Sequence, residues 1–481
     1  MTNLKRNLGF WRAYATATGL VVAGSTMVSL GNSFGIIGPA FIVSAFIAMV
    51  VSIMIALSYA ELSSIMPGTG MIGDYTAVAM GRFMSIFAVL GGYLVLTVTV
   101  GPMETMTASL AVEYLFPGIN TLVVALVILV GFLIINLLGV EIFGAVQLMI
   151  VLTLMLGTAV MGVLGLLDVG TVAASTSAEF NPFGWSTVLQ SFAMGLWLFI
   201  GIEYVIPLGD EVKKPEKTIP RAMIAGLLTI FVVDMLFGFA LTRHIDLVPL
   251  SESATPQILG ATAMFGEFGG TLMALLTVLA ATSTINASFA AVPRMFYGLA
   301  RQGLLPKMFK YIHPKFRTPS YSIIFVFLLF SAPLFVLESS ITIITTLLLS
   351  ASVTWLLTYI IAQVNVLILR KRYPTIERPF KAPFSPVLQI VGIAFCVYMI
   401  VTIHPDPAMK GTIYAIAGTS IAVIAAYAFF WLKYKKMPLF TPIALEDMKQ
   451  LSAQLQNEEQ LDSVEDKGEP VIAITTPEKG W

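Results

Sequence analysis

Three places in this 481-residue chain set polar or charged groups inside apolar sequence. In Leu196-Trp197-Leu198-Phe199-Ile200-Gly201-Ile202-Glu203-Tyr204-Val205-Ile206-Pro207 a glycine stands close to a carboxylate, with a proline four residues after it. Ionised Glu at mid-bilayer depth costs about 2.5–3.5 kcal/mol on insertion scales, so it faces a bundle interior, a cavity or a partner. Such a group could exchange a proton, or be a hydrogen-bonded structural residue. Glu104, in Gly101-Pro102-Met103-Glu104-Thr105, is a second such carboxylate. It would suit a cationic amine or a basic side chain; the alternatives are an interhelical hydrogen bond or a wet outer vestibule. The third place is Ala23-Gly24-Ser25-Thr26-Met27, within a run also broken by Gly19, Gly31, Gly35 and Gly38. Small residues there allow close helix packing, or an unwound hinge whose freed N–H groups face a ligand.

Other chemistries lack their residues. His244, His313 and His404 fall in loops or at span edges, so no metal site is suggested. No phosphate loop or covalent-catalysis motif is present. No cofactor is implied, beyond Na+ or H+ as a coupling ion. The lone Cys396 excludes an intrachain disulfide framework.

The elements that must position these residues follow from composition. Hydrophobic residues make up 57% and charged residues 11%, where soluble domains carry about 25% charged. That argues against a soluble enzyme, a disordered protein or a nucleic-acid binder. Twelve apolar blocks of membrane length follow one another, at about 13–38, 40–65, 83–113, 119–138, 142–167, 186–208, 222–242, 268–298, 320–337, 341–370, 385–404 and 411–434. Lipid offers no partner to open strands, so these spans are expected to be helices, an all-α membrane protein. The first run is too long for a signal-peptide core and is read as a retained helix.

With the N-terminus in the cytoplasm and alternating threading, 25 of the Lys and Arg residues fall inside, among them Lys5, Arg6, Arg12, Lys213, Arg294 and Arg370. Only Arg243 and Lys410 fall outside. Both termini are therefore expected in the cytoplasm. Residues 1–12 read as a cytoplasmic N-terminus. Residues 437–481, polar and acidic, read as a cytoplasmic tail with a short helix and disorder. The interrupted spans are the first and sixth. An offset of five suggests a 5+5 repeat, each half opening on a discontinuous helix, which points to a midplane binding site.

The residues around these sites resemble a known family. Leu196-Trp197-x-Phe199-Ile200-Gly201-Ile202-Glu203, followed by Asp210-Glu211-Val212-Lys213-Lys214-Pro215, is similar to the sixth helix and following loop of the amino acid–polyamine–organocation superfamily. Tyr59-Ala60-Glu61-Leu62-Ser63-Ser64-Ile65-Met66-Pro67 resembles its second-helix exit. Thr282-Ser283-Thr284-Ile285-Asn286-Ala287, and Pro293 to Lys307 beyond it, resemble its eighth helix and cytoplasmic loop. The likeness spans about residues 10–435. It implies a LeuT-like inverted-repeat fold of 12 helices with a transport core at 13–372 and helices 11 and 12 at 385–434. It also implies alternating-access transport of an amino acid or related amine at the plasma membrane. Where the family has Gly-Ser-Gly in the first helix, this chain has Gly24-Ser25-Thr26, so the substrate's surroundings differ.

On that resemblance, backbone near Gly24, Ser25 and Thr26 would take a substrate carboxylate at a half-helix N-terminus. Carbonyls near Phe199 and Ile200 would take the ammonium. Trp197 and Phe199 would shape the pocket or simply pack. Ala23, Met27, Glu104, Gly201, Glu203 and Asn286 complete the expected substrate-binding set. Coupling has three candidate routes: protonation of Glu203, a sodium ion between first-helix carbonyls and the Ser283 and Thr284 hydroxyls, or exchange of substrates. The family's helix-5 lysine has no counterpart in Val151 to Leu156. Glu61, Asp74 and Glu211 are expected in gate or loop salt bridges. A channel or receptor and a membrane-embedded enzyme are the competing classes. The first lacks a repeated pore loop, the second a nucleophile or metal set. The sequence leaves the oligomeric state open.

Overall fold

The computed structural model describes residues 7–172, 179–336, 341–404 and 406–450. Lys5, Arg6 and the acidic stretch from 451 onward lie outside the described residues.

Helices satisfy the backbone within each segment, as a lipid-embedded chain requires. Helices α1 (Phe10–Val21) and α2 (Gly24–Ile37) meet at a 56° bend. There follow α3 (Phe41–Ile65), α4 (Ile72–Met80) and α5 (Arg82–Leu115), the last carrying a π-helical turn at Leu90–Leu94. Next come α6 (Thr121–Leu137), α7 (Val140–Leu166), α8 (Gly184–Gln190) and α9 (Phe192–Trp197). Turn residues 198–201 separate α9 from a 3-10 segment, Ile202–Glu211. Beyond it lie α10 (Pro215–His244), α11 (Leu247–Glu252), α12 (Pro256–Arg301), α13 (Ser320–Ser331), α14 (Ile341–Arg372), α15 (Val387–Val401) and α16 (Pro407–Tyr434).

Among the described residues, eight helices are long and apolar enough to cross a membrane, nine if α1 and α2 count as one. Three more are apolar but shorter. The chain is an integral membrane protein. Two spans depart from their simple sequence blocks. Helix α12 is kinked where Phe265 and Gly266 leave helical geometry, so its first turns form a separate piece ahead of the block at 268–298. The sixth span unwinds after Trp197 and continues as a 3-10 helix holding Pro207, which cannot donate to an α-helical ladder.

Helix α12 is the central post. It packs on α5, α7, α2 and α1, and α10 closes the opposite flank against α7, α1 and α3. At one end of the bundle, Glu61 takes Arg370 Nε at 2.9 Å, with Arg378 Nε 3.2 Å away. Glu211 holds Arg294 through two bonds of 2.8 Å. Beside them, Leu8 N–H donates to the Glu211 carbonyl and Lys213 N–H to the Leu8 carbonyl, each at 2.9 Å. Of the three carboxylates expected in gate or loop salt bridges, Glu61 and Glu211 thus form ion pairs. Arg243, in the last turn of α10, pairs with Asp168 just beyond the end of α7.

Residues 437–450, expected as part of a tail with a short helix, are helical at 445–450 and lie against the bundle. Leu439 O accepts from Phe83 N–H at 2.9 Å, and Leu445 and Met448 are buried.

Candidate functional site

The first break begins where Val22 leaves helical geometry (φ −80°, ψ 70°) and Ala23 is extended. A helix start leaves backbone donors without intrahelical partners. Here they are met from inside the protein. Ala23 N–H donates to Thr26 Oγ1 at 2.8 Å. Gly24 N–H donates to Glu104 Oε2 at 2.9 Å, and Ser25 N–H to Glu104 Oε1 at 3.2 Å. Glu104, from α5, is fully buried. A carboxylate on a helix N-terminus in buried geometry is worth up to about 2 kcal/mol. A Cβ on Gly24 would sit 2.8 Å from Thr107 Cγ2 and 3.2 Å from Glu104 Oε2, so α5 can approach this closely only at glycine.

The second break turns on Gly201, at φ +103°. A side chain there would be strained, and its Cβ would meet Leu20 Cδ2 at 2.1 Å. The Gly201 N–H donates to Tyr359 Oη at 3.1 Å. Glu203, fully buried, accepts from Trp355 Nε1 at 3.0 Å, Tyr93 Oη at 3.1 Å and Tyr359 Oη at 2.9 Å. Tyr59 Oη lies 3.2 Å from Tyr93 Oη and extends the chain of hydroxyls. Three donors converge on one carboxyl, so the group is held as an acceptor.

A cavity opens between the breaks. Leu20, Val21, Ala23, Ser25 and Thr26 line it from the first, and Trp197 and Ile200 from the second. Leu96, Thr97, Val100 and Gly101 of α5, Thr284 and Ser288 of α12, Phe330 and Trp355 close it. No lining residue carries a charged side chain. The indole Nε1 of Trp197 is buried without a hydrogen-bond partner.

Of the expected site residues, Ala23, Ser25, Thr26, Trp197, Ile200 and Thr284 face this cavity. Gly24 and Glu104 stand directly behind its first wall, and Glu203 behind Trp355. Gly201 acts through its backbone rather than the lining. Phe199 and Met27 are buried without forming part of the lining.

Asn286 lies in a separate polar cluster. Its Nδ2 donates to Gln147 Oε1 at 2.7 Å, and Asn136 Nδ2 donates to its Oδ1 at 2.9 Å. Gln147 Nε2 reaches Ser283 Oγ at 2.9 Å. Ser283 Oγ donates to Gly19 O at 2.7 Å and Thr284 Oγ1 to Leu20 O at 3.0 Å. Each hydroxyl has one proton to give, and both are given to the last carbonyls of α1.

Sequence reasoning passed over Gln147, Tyr93, Trp355 and Tyr359. Gln147 carried a signal, a lone amide in an apolar span. So did Trp355 and Tyr359, polar-tipped aromatics four residues apart on one helix face.

Residues 8–429 match the amino acid permease family. Branched-chain amino acid permease BcaP of Bacillus subtilis (strain 168) is 24% identical over 425 residues, 83% of this chain and 89% of its own. The serine/threonine exchanger SteT of the same organism is 26% identical over 413 residues, 81% and 89% respectively. Its methylthioribose transporter is 24% identical over 428 residues, 84% and 88%.

Proposed function

The chain belongs to the amino acid permease family of the amino acid–polyamine–organocation superfamily, a transporter rather than an enzyme, and from that premise we propose that it is a secondary active carrier of an amino acid or related amine, working by alternating access. The observation that carries the reading is the meeting of two interrupted helices, at Val22–Ala23 and at 198–201, on one cavity. Broken helices facing a buried cavity are how carriers expose backbone polar groups at mid-membrane. The eight long helices, the bent pair and the three shorter ones sum to twelve, which supports the 12-helix reading with breaks in helices 1 and 6. Names of relatives as different as a branched-chain amino acid permease and a methylthioribose transporter leave the substrate to be read from the site.

In this reading 13–372 form the transport core, 385–434 add helices 11 and 12, and both ends face the cytoplasm of a plasma-membrane protein. The ion pairs at Glu61 and Glu211 then act as the inner gate, closed in this structure. Coupling runs through Glu203 protonation or through exchange. Satisfied hydroxyls at Ser283 and Thr284 favour these over sodium.

Proteoliposome uptake tests it, with amino acids and amines under separate proton and sodium gradients. Saturable uptake with countertransport of intact substrate is the expected result. Currents far above carrier turnover would replace the carrier by a channel, and chemically altered substrate by an enzyme.

A further inference from the structure

At the first break three backbone donors are already taken, while the buried Ser25 hydroxyl has no partner. Ala23 N–H is taken by Thr26 Oγ1, and Gly24 and Ser25 N–H are taken by Glu104. A helix N-terminus is worth roughly +0.5 charge, and the Glu104 carboxyl already occupies it. The other groups around the cavity add no positive charge. The C-terminal end of α1 points at the cavity through Leu20 and Val21, and Glu203 stands behind the Trp355 wall. Among the described residues, no Lys, Arg or His lines the cavity. Among the described residues, the buried arginine Arg294 is paired with Glu211 at the end of the bundle, and the buried His244 meets the Gly165 carbonyl. A zwitterion would bring its carboxylate to a site that already holds two carboxyl groups and, among the described residues, no cationic side chain.

We propose that Glu104 is the specificity-determining residue of this site, standing in for a substrate carboxylate, and that the cavity selects amines carrying net positive charge over α-amino acids. The proposal rests on the carrier reading above. The ammonium is held by the field of Glu104 and Glu203 and by the faces of Trp197 and Trp355, which attract cations. The unpartnered Nε1 of Trp197 is left to donate to a neutral acceptor on the ligand, such as an amide or ether oxygen. Apolar walls at Leu96, Val100 and Phe330 accept a short hydrocarbon body.

The test is competition and uptake in proteoliposomes with matched series: an α-amino acid, its amide, and its decarboxylated amine, built on the glycine, leucine and phenylalanine side chains. Within a series only the carboxylate changes. In the wild-type protein the amide and the amine are expected to outcompete the acid by about tenfold or more. In Glu104→Gln the preference should fall to within about threefold, and in Glu104→Ala, where the N–H groups are freed, the acid should gain. Preference for the acid over its amide in wild-type protein overturns the proposal and leaves the carrier standing. Uptake of no member of any series overturns both. The wild-type comparison holds whether or not the variants fold.

Discussion

Gln147 Nε2 donates to Ser283 Oγ across 2.9 Å, and Ser283 passes its own proton to the Gly19 carbonyl at 2.7 Å. The amide of α7 thus braces α1 against α12 at the place where a coupling sodium would need both the carbonyls and the hydroxyl. A neutral donor there already engages the hydroxyl that the proposed sodium site would need. Uptake should therefore be unchanged, within about twofold, when sodium is replaced by choline. Gln147→Ala removes the brace and leaves a buried hydroxyl short of a partner, a cost of about 1–3 kcal/mol. Its apparent Tm should fall by several degrees and its uptake rate by about tenfold. A strict sodium requirement in the wild type would refute the assignment.

Glu203 is held by three donors from α5 and α14, and its neighbour Gly201 is tied to the same Tyr359. The carboxyl therefore links the second break to two other helices, and a change in its protonation would loosen that link. Glu203→Gln keeps one acceptor oxygen for Trp355 and Tyr93. The tyrosine hydroxyl at Tyr359 can rotate to accept from the new amide. The variant should fold, with an apparent Tm near wild type, while the pH dependence of uptake disappears. A pH profile superposable on the wild type would remove Glu203 from coupling.

Asp74 of α4 lies outside the membrane spans, with Gln302 Nε2 donating to it at 2.6 Å. Burial pushes its carboxyl up to about 6, Asp210 adding to the rise and the Arg301 guanidinium opposing it. The folded state thus keeps a proton that the unfolded chain loses near pH 4, roughly the free Asp value. Between about pH 4 and pH 6 the folded state binds more protons than the unfolded one, so this residue's contribution to stability falls as pH rises through that window. Asp74→Asn removes the titration and keeps an acceptor for Gln302. The variant should gain a few degrees in apparent Tm over wild type at pH 7.5, and little or nothing at pH 4.5. Equal differences at both values would contradict the raised carboxyl.

Much of this was legible before any coordinates. Spans showed as apolar blocks because lipid permits only closed backbone hydrogen bonding, and both breaks showed as glycine with polar residues inside such blocks. What could not be read was partnership across the fold. Nothing local to Glu104 says that it reaches Gly24, 80 positions away. The same holds for Trp355, whose bond to Glu203 spans 152 positions. Composition also hid the kink at Phe265–Gly266, since both of its arms are apolar.

The segment after Lys436 offers the last case: its charge marks a polar tail with a short helix, and its contacts fasten it to the bundle. Leu439 O accepts from Phe83 N–H, Ile443 N–H donates to Ala77 O at 3.1 Å, and Leu445 N–H donates to Tyr373 Oη at 3.2 Å. The Phe440 and Phe83 rings lie 5.1 Å apart. The strap thereby ties the α4–α5 corner to the end of α14, beside the Asp74 contact with Gln302. Burying Leu445 and Met448 contributes about 1.5–3 kcal/mol each, enough to hold a short segment down. Truncation after Lys436 should raise amide exchange at Phe83 by about tenfold or more, since that N–H loses its acceptor. Leu445→Asp should do the same in part, with the chain intact. If exchange at Phe83 is unchanged in both, the segment does not restrain the corner.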